Sequence, residues 1–312
     1  MLRRLAHNLR DWASRGPTPH APAVRIGLAL GGGFARSLAH IGVLQVFEEQ
    51  GIPIHAISGI SSGSIIAASW ASGTSLDEII SQGSCTSFSS YARWTLSRLG
   101  LATNGRMDPW LRQVLRVTRF EDLHRPLAIV ATDLATGDPV VFRGSGDIIA
   151  PIRASCAYPG LFLPVQIGEQ WLVDGGISVS VPVQAAIALG ATHVIAVHLP
   201  SIGPGGVRPT NLLQVVGRSL AIAQERVADW RLKASLVVEP AVHAFEWEDF
   251  CRVGDLVQTG RDAMLAALPV VQGWLRPPVA EPLVAVEPRE EIVQRLRQRR
   301  MRKHAIAQNG VR

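Results

Sequence analysis

The sequence predicts an α/β fold: three layers, helix–sheet–helix, around a mostly parallel central sheet, in a single domain. Three observations carry this. Short apolar runs alternate with segments of helical period from residue 25 to residue 238, the pattern of a parallel sheet covered on both faces. The 312 residues are 47% hydrophobic and 18% charged, enough for one large core and wrong for a disordered chain. No run approaches the 18 apolar residues of a membrane-spanning helix.

The elements follow in order. Residues 25–30 read as a strand that ends at Gly31-Gly32-Gly33. Residues 36–50 form a helix whose apolar face holds Leu38, Ile41, Val43, Leu44 and Phe47. Residues 54–58 are a second strand, followed by a small-residue helix to about Ser72. Residues 76–122 read as mostly helical, with Trp94, Leu96, Trp110, Leu111 and Leu115 in the core. Two strands, 127–133 and 139–143, are joined at Thr136-Gly137-Asp138. A helix at 147–156 stops before Pro159-Gly160. Strands follow at 170–173, 193–199 and 235–238, and helices at 182–189, 211–229 and 254–268.

The ends differ from the body. Residues 1–25 carry a charge of +4, residues 287–312 carry +5, and the segment between carries −3. A nucleic-acid surface would place the excess on the folded domain, so no nucleic-acid partner is expected. Leu2, Leu5, Leu9 and Trp12 recur at helical spacing opposite Arg3, Arg4, His7 and Arg10. This is a short basic amphipathic arm, and Pro17, Pro19 and Pro22 follow as a linker. The arm lacks the apolar stretch of a signal peptide. Residues 1–23 are therefore read as arm and linker, 24–275 as the folded domain, and 276–312 as a Pro-rich and then basic tail. The basic ends suit peripheral contact with an anionic membrane or simple solvation. Cys85, Cys156 and Cys251 are too few and too scattered for a disulfide framework or a zinc site. A cytoplasmic, reducing location is expected, with no metal and no cofactor.

Three segments carry chemistry. Gly59-Ile60-Ser61-Ser62-Gly63 lies between a strand and a helix, the setting of a nucleophile elbow. Gly59 and Gly63 remove the side chains that would clash around a strained Ser61. Gly31-Gly32-Gly33 exposes backbone N–H groups at a helix start, as either a phosphate loop or an oxyanion hole. The run lacks the last glycine of a dinucleotide fingerprint and the acidic residue about 20 positions on. An oxyanion hole facing Ser61 explains both absences. Asp174-Gly175-Gly176 follows the strand at 170–173 directly, on the sheet edge where α/β folds place their sites.

Together these segments resemble the patatin-like phospholipases, a family of serine lipid acyl hydrolases. The stretch from Gly27 to Leu44, with Arg36 and Ala39-His40-Ile41-Gly42-Val43-Leu44, is similar to the family's glycine-rich block. The run Ala154 to Val165 resembles another block, and Asp174-Gly175-Gly176 the D-G-G/A motif. The resemblance spans about residues 24–275. The family commonly has glycine where Phe34 and Ser37 stand.

The resemblance implies a fold of the patatin type and hydrolysis of lipid esters, of phospholipase A or lysophospholipase character. It implies a Ser61–Asp174 dyad, with Ser61 as nucleophile, Asp174 as general base, and Gly31, Gly32 and Gly33 as oxyanion donors. Gly59, Gly63, Gly175, Gly176 and Arg36 would support them, Arg36 through a structural carboxylate or an anionic head group. Residues 84–125, with Trp94 and Trp110, are expected at the substrate pocket or its cover. Other readings stand beside this one. A lipid-binding or regulatory protein would keep the fold with a degenerate site, for which Phe34 and Ser37 speak. An α/β-hydrolase esterase would use a histidine base, with His198 at a strand end as the best candidate. His40 reads as a core histidine and Asp133 as a turn residue.

Overall fold

The computed structural model describes residues 23–84, 86–200, 208–226 and 228–276. The amphipathic arm, the basic tail and Cys85 lie outside the described residues. The chain divides into two units, Met1–Val271 and Gln272–Arg312. Of the second, only the end of a helix is described.

Strand β1 (Ile26–Leu30) leads through a 3-10 turn, Phe34–Leu38, into α1 (Ala39–Glu49). β2 (Ile54–Ile60) passes directly into α2 (Ser61–Ala71). Next come α3 (Leu76–Ser84), α4 (Phe88–Tyr91), the short strands β3 (Arg93–Trp94) and β4 (Ala102–Thr103), and α5 (Met107–Val114). β5 (Leu127–Asp133) and β6 (Pro139–Arg143) precede α6 (Ile149–Ser155). β7 (Val165–Ile167) and β8 (Gln170–Asp174) are followed by α7 (Val183–Ala188) and β9 (His193–Val197). α8 (Leu212–Arg226), α9 (Trp230–Lys233), β10 (Leu236–Val238) and α10 (Val253–Leu275) complete the described chain.

The central sheet is mixed and mostly parallel. β10, β9, β1, β2 and β5 lie side by side in parallel, while β6, β7 and β8 add antiparallel pairings. Both faces are covered. Ala128 and Val130 of β5 pack with Ala185 of α7, whereas Ala131, the next residue, packs with Ala154 of α6. Neighbours along one strand thus bury into opposite helical layers, as the two-residue period requires. This is the expected three-layer α/β architecture. No helix among the described residues is long and apolar enough to cross a membrane.

Strand β5 positions the site. β2 covers its first half, with Ile60 opposite Val130. β8 covers its second half from the other direction, with Asp174 opposite Ala131. β6 pairs with residues 128–132 and so occupies the other edge of β5. The carboxyl ends of β2 and β8 therefore meet head-on beside two consecutive β5 residues.

Helices α1 and α10 cross with their backbones nearly touching. A Cβ at Gly42 would lie 1.9 Å from the Val257 carbonyl oxygen, and one at Gly260 would lie 1.8 Å from that of Ala39. Backbone on both sides leaves no flexible atom to yield. We expect Gly260→Ala to lose about 1–3 kcal/mol of stability. Thermal unfolding would read this as roughly 2–4 °C per kcal/mol.

Residues 76–122 depart from the expected helical run. Three short helices are separated by the β3–β4 hairpin and irregular chain. Leu111 and Leu115 are buried, but Trp94 and Leu96 stand in solvent. Trp94 and Leu96 alternate with polar neighbours at a period of two, and Gly100 and Gly105 interrupt any helix. Strand β7 is a further element that the sequence pattern does not mark. Helix α10 continues through Pro269, where a stop was expected.

Candidate active site

Ser61 stands where β2 becomes α2. Ile60 is still extended, at φ −124°. Ser61 has φ 50°, a left-handed conformation that costs a residue with a side chain about 1–3 kcal/mol. The two glycines explain how it is held. A Cβ at Gly59 would lie 2.6 Å from Ser64 Cα, and one at Gly63 would lie 2.4 Å from the Gly31 carbonyl oxygen. The backbone N–H of Ser61 donates to Ser155 Oγ at 2.8 Å, and Ser155 Oγ donates to the Val130 carbonyl at 2.6 Å. Ser155 thus pins the elbow to β5. The sequence places it in a helix within a recognisable block, and nothing there marks this role.

The Ser61 hydroxyl donates to Asp174 Oδ2 at 2.6 Å. Asp174 is 2% exposed. Its other oxygen accepts the Gly176 N–H at 2.8 Å, which fixes the carboxylate plane. Thr132 Oγ1 donates to its backbone carbonyl at 2.9 Å. Burial raises the Asp174 pKa to about 6, against the smaller lowering by the bonds from Ser61 and Gly176. Gly175 lets this corner form: a Cβ there would lie 2.1 Å from the Val130 carbonyl oxygen.

The glycine loop faces the same serine. A Cβ at Gly32 would lie 2.9 Å from Ser61 Cβ. Gly33 N–H donates to Ser62 Oγ at 3.1 Å. Gly31 is different, because its N–H donates to the Val197 carbonyl at 3.0 Å. That amide belongs to the sheet and is not available as an oxyanion donor, a correction to the expected trio. The Gly31 carbonyl in turn accepts from His40 Nε2 at 2.8 Å. His40 is fully buried, and desolvation lowers its pKa to about 4, so the ring is neutral and carries its proton on Nε2. The expected core histidine therefore also anchors the loop.

Phe34 has φ 51°, a left-handed position that the family pattern fills with glycine. Its ring packs edge-on against Tyr158 and Trp247, with centroids 5.6 and 5.3 Å away. Arg36 Nε donates to the Phe245 carbonyl at 2.8 Å. Burial lowers the pKa of its guanidinium, and the carboxylates of Glu246 and Asp249 act against that, in line with the expected structural role. Asp133 holds its own turn, accepting from Ala135 N–H and Gln170 Nε2. His198, the alternative base, lies between Glu239 at 2.9 Å and Glu225 at 3.3 Å. The partner of the serine hydroxyl is the carboxylate directly.

The family model described as patatin-like phospholipase matches residues 28–187, which carry the glycine loop, the elbow and the Asp174 corner together. The chain belongs to the patatin-like phospholipase family. An uncharacterized NTE family protein of Mycobacterium bovis is 31% identical over 270 residues, covering 78% of this chain and 46% of the relative. The lysophospholipase NTE1 of Cryptococcus neoformans is 32% identical over 184 residues, covering 57% of this chain and 11% of the relative. This patatin-like chain spans about half the length of the first of these curated relatives. Among solved structures, VipD from Legionella pneumophila aligns with a TM-score of 0.49 at 13% identity, over 80% of this chain and 67% of that one.

Beside the patatin elbow lies a cleft that opens to solvent. Ser61 lines it together with Ile65, Ile79, Met107, Trp110 and Phe162. Its walls are almost wholly apolar, so they favour a hydrocarbon chain over a polar one. Of the two expected tryptophan walls, Trp110 lines the cleft and Trp94 does not.

Proposed function

We propose that the protein hydrolyses lipid esters, in the manner of a phospholipase A or lysophospholipase, through a Ser61–Asp174 dyad. The observation that carries this reading is the 2.6 Å contact between the serine hydroxyl and a buried carboxylate, beside an apolar cleft. Ser61 Oγ attacks the ester carbonyl as Asp174 takes its proton. The N–H groups of Gly32 and Gly33 receive the developing oxyanion, the second after Ser62 Oγ rotates away. The proton passes to the leaving alcohol, and the acyl group stays on Ser61. Asp174 then activates water, which releases the fatty acid and restores the hydroxyl. The acyl chain occupies the cleft.

A panel of phospholipids and short-chain esters, assayed with wild type and Ser61→Ala, tests the reading. Hydrolysis that survives Ser61→Ala contradicts it. A protein that binds lipid and never turns over would support the degenerate-site alternative.

The pH dependence has a definite sign. Asp174 accepts a proton only when ionised, and its pKa is about 6. For a neutral ester, kcat/KM should rise about tenfold per pH unit below that value and level off above it. A rate that is flat or falling between pH 5 and roughly 7 would exclude Asp174 as base.

A further inference from the structure

The β3–β4 hairpin carries a cluster of exposed apolar side chains. Within eight residues it exposes Trp94 (63%), Leu96 (106%), Leu99 (61%) and Leu101 (46%). Side chains this apolar and this exposed, clustered on one projection, mark an interaction surface.

The hairpin is held firmly at its base. Trp94 pairs with Ala102 across the two strands. The N–H groups of Leu101 and Ala102 both donate to the Leu161 carbonyl, and that of Leu163 to the Ala102 carbonyl. Gly100 lies so close to Phe162 that a Cβ there would sit 2.9 Å from the Phe162 backbone. The apolar tip is thus carried on a fixed stem.

That stem is joined to the active-site cleft. Trp94 packs on Phe88 at 4.9 Å, and Phe88 stacks on Phe162 at 6.0 Å. Phe162 is itself a wall of the cleft that Ser61 lines. An aromatic row therefore runs from the exposed hairpin to the reaction site.

Charge selects the partner. Between Glu78 and Asp108 the sequence holds Arg93, Arg98 and Arg106 and no acidic residue. Arg93 and Arg98 are exposed, and neither makes an ion pair among the described residues. Tryptophan and leucine beside unpaired arginine is the composition of a segment that sits in a membrane interface.

We propose that residues 93–103 dock the protein on a bilayer containing anionic phospholipid. Trp94, Leu96, Leu99 and Leu101 enter the boundary between head groups and acyl chains, and Arg93 and Arg98 face the lipid phosphates. The choice of a lipid partner rests on the reading of the site as a lipid acyl hydrolase.

The test uses the full chain carrying Ser61→Ala, so that vesicles stay intact whatever the catalytic reading. Vesicles are phosphatidylcholine, with or without phosphatidylglycerol. Leu96→Ser with Leu99→Ser should weaken binding about tenfold or more with the melting temperature unchanged. Arg98→Gln should weaken it about fivefold on the anionic vesicles only. Brominated lipids should quench the tryptophan emission, and Trp94→Phe should remove most of that quenching, which separates the hairpin from the basic ends. With Ser61 restored, the leucine variant should hydrolyse a soluble short-chain ester normally and vesicle lipid about tenfold more slowly. Equal vesicle binding by the leucine variant, or quenching undiminished by Trp94→Phe, overturns the proposal. So does self-association that the leucine substitutions abolish in a protein that ignores vesicles, which would make the hairpin a contact between copies. An inactive protein that still binds vesicles through the hairpin would sink the catalytic reading alone.

Discussion

Asp174→Asn should lose ester hydrolysis by about 10³–10⁴-fold and, at pH 8, be more stable than wild type. Both effects follow from one carboxylate. The amide keeps the shape of the side chain and its bond from Gly176 but cannot take the proton of Ser61. The gain in stability comes from burial. The folded chain raises the Asp174 pKa from 3.8 to about 6, so it prefers the protonated form. Below the unfolded value both states hold the proton and the site opposes nothing. As pH rises through about 6 the buried group must ionise, and that preference is lost. Asparagine never ionises. The variant should therefore gain about 1–3 kcal/mol at pH 8, and the gain should vanish by pH ~4. Thermal unfolding at the two pH values, alongside an ester assay, measures both. A variant that is less stable at pH 8 would mean that the ionised carboxylate is well solvated, against its 2% exposure.

Gly63→Ala should be the most damaging single methyl group in the elbow. Its Cβ would lie 2.4 Å from the Gly31 carbonyl oxygen and 2.8 Å from that of Leu30. Both are backbone atoms at the end of β1, and His40 holds the first of them in place. Either α2 lifts from the sheet or the glycine loop moves off Ser61. In both cases the Gly32 and Gly33 amides leave the position where they would receive an oxyanion. We expect about 10²–10³-fold loss of kcat/KM and about 1–3 kcal/mol of destabilisation. Gly254→Ala is the control, since nothing lies within 4 Å of its Cβ position. That variant should keep full activity and melt at or slightly above the wild-type temperature. Comparable activity in the two variants would show that the loop adapts freely.

Ser61 was legible because its neighbours are constrained by sterics: only glycine fits at 59 and 63, and that leaves a written pattern. The parallel strands were legible for a similar reason, since burial on both faces demands near-continuous apolar runs. Asp174 was legible as a strand-end carboxylate, and its meeting with Ser61 only through the family resemblance, not through spacing. That meeting depends on β8 running against β5 from the far side, a pairing of residues distant in the chain. Ser155 was hidden because a serine in a helix has no signature until the helix is placed. The Gly31 amide was miscounted because its partner, Val197, arrives from β9. Trp94 and Leu96 were read as core because hydropathy records what a side chain prefers and not where the chain puts it. His198 sits at a strand end as expected, but Glu225 and Glu239 reach it from elements that no spacing rule connects.

The most direct measurement is covalent labelling with a fluorophosphonate probe, followed by mass spectrometry of the modified peptide. We expect a single adduct on Ser61, a labelling rate that climbs with pH through about 6, and labelling at least about 10²-fold slower in Asp174→Asn. An adduct on another residue, or equal labelling of the wild type and Asp174→Asn, would contradict the Ser61–Asp174 dyad.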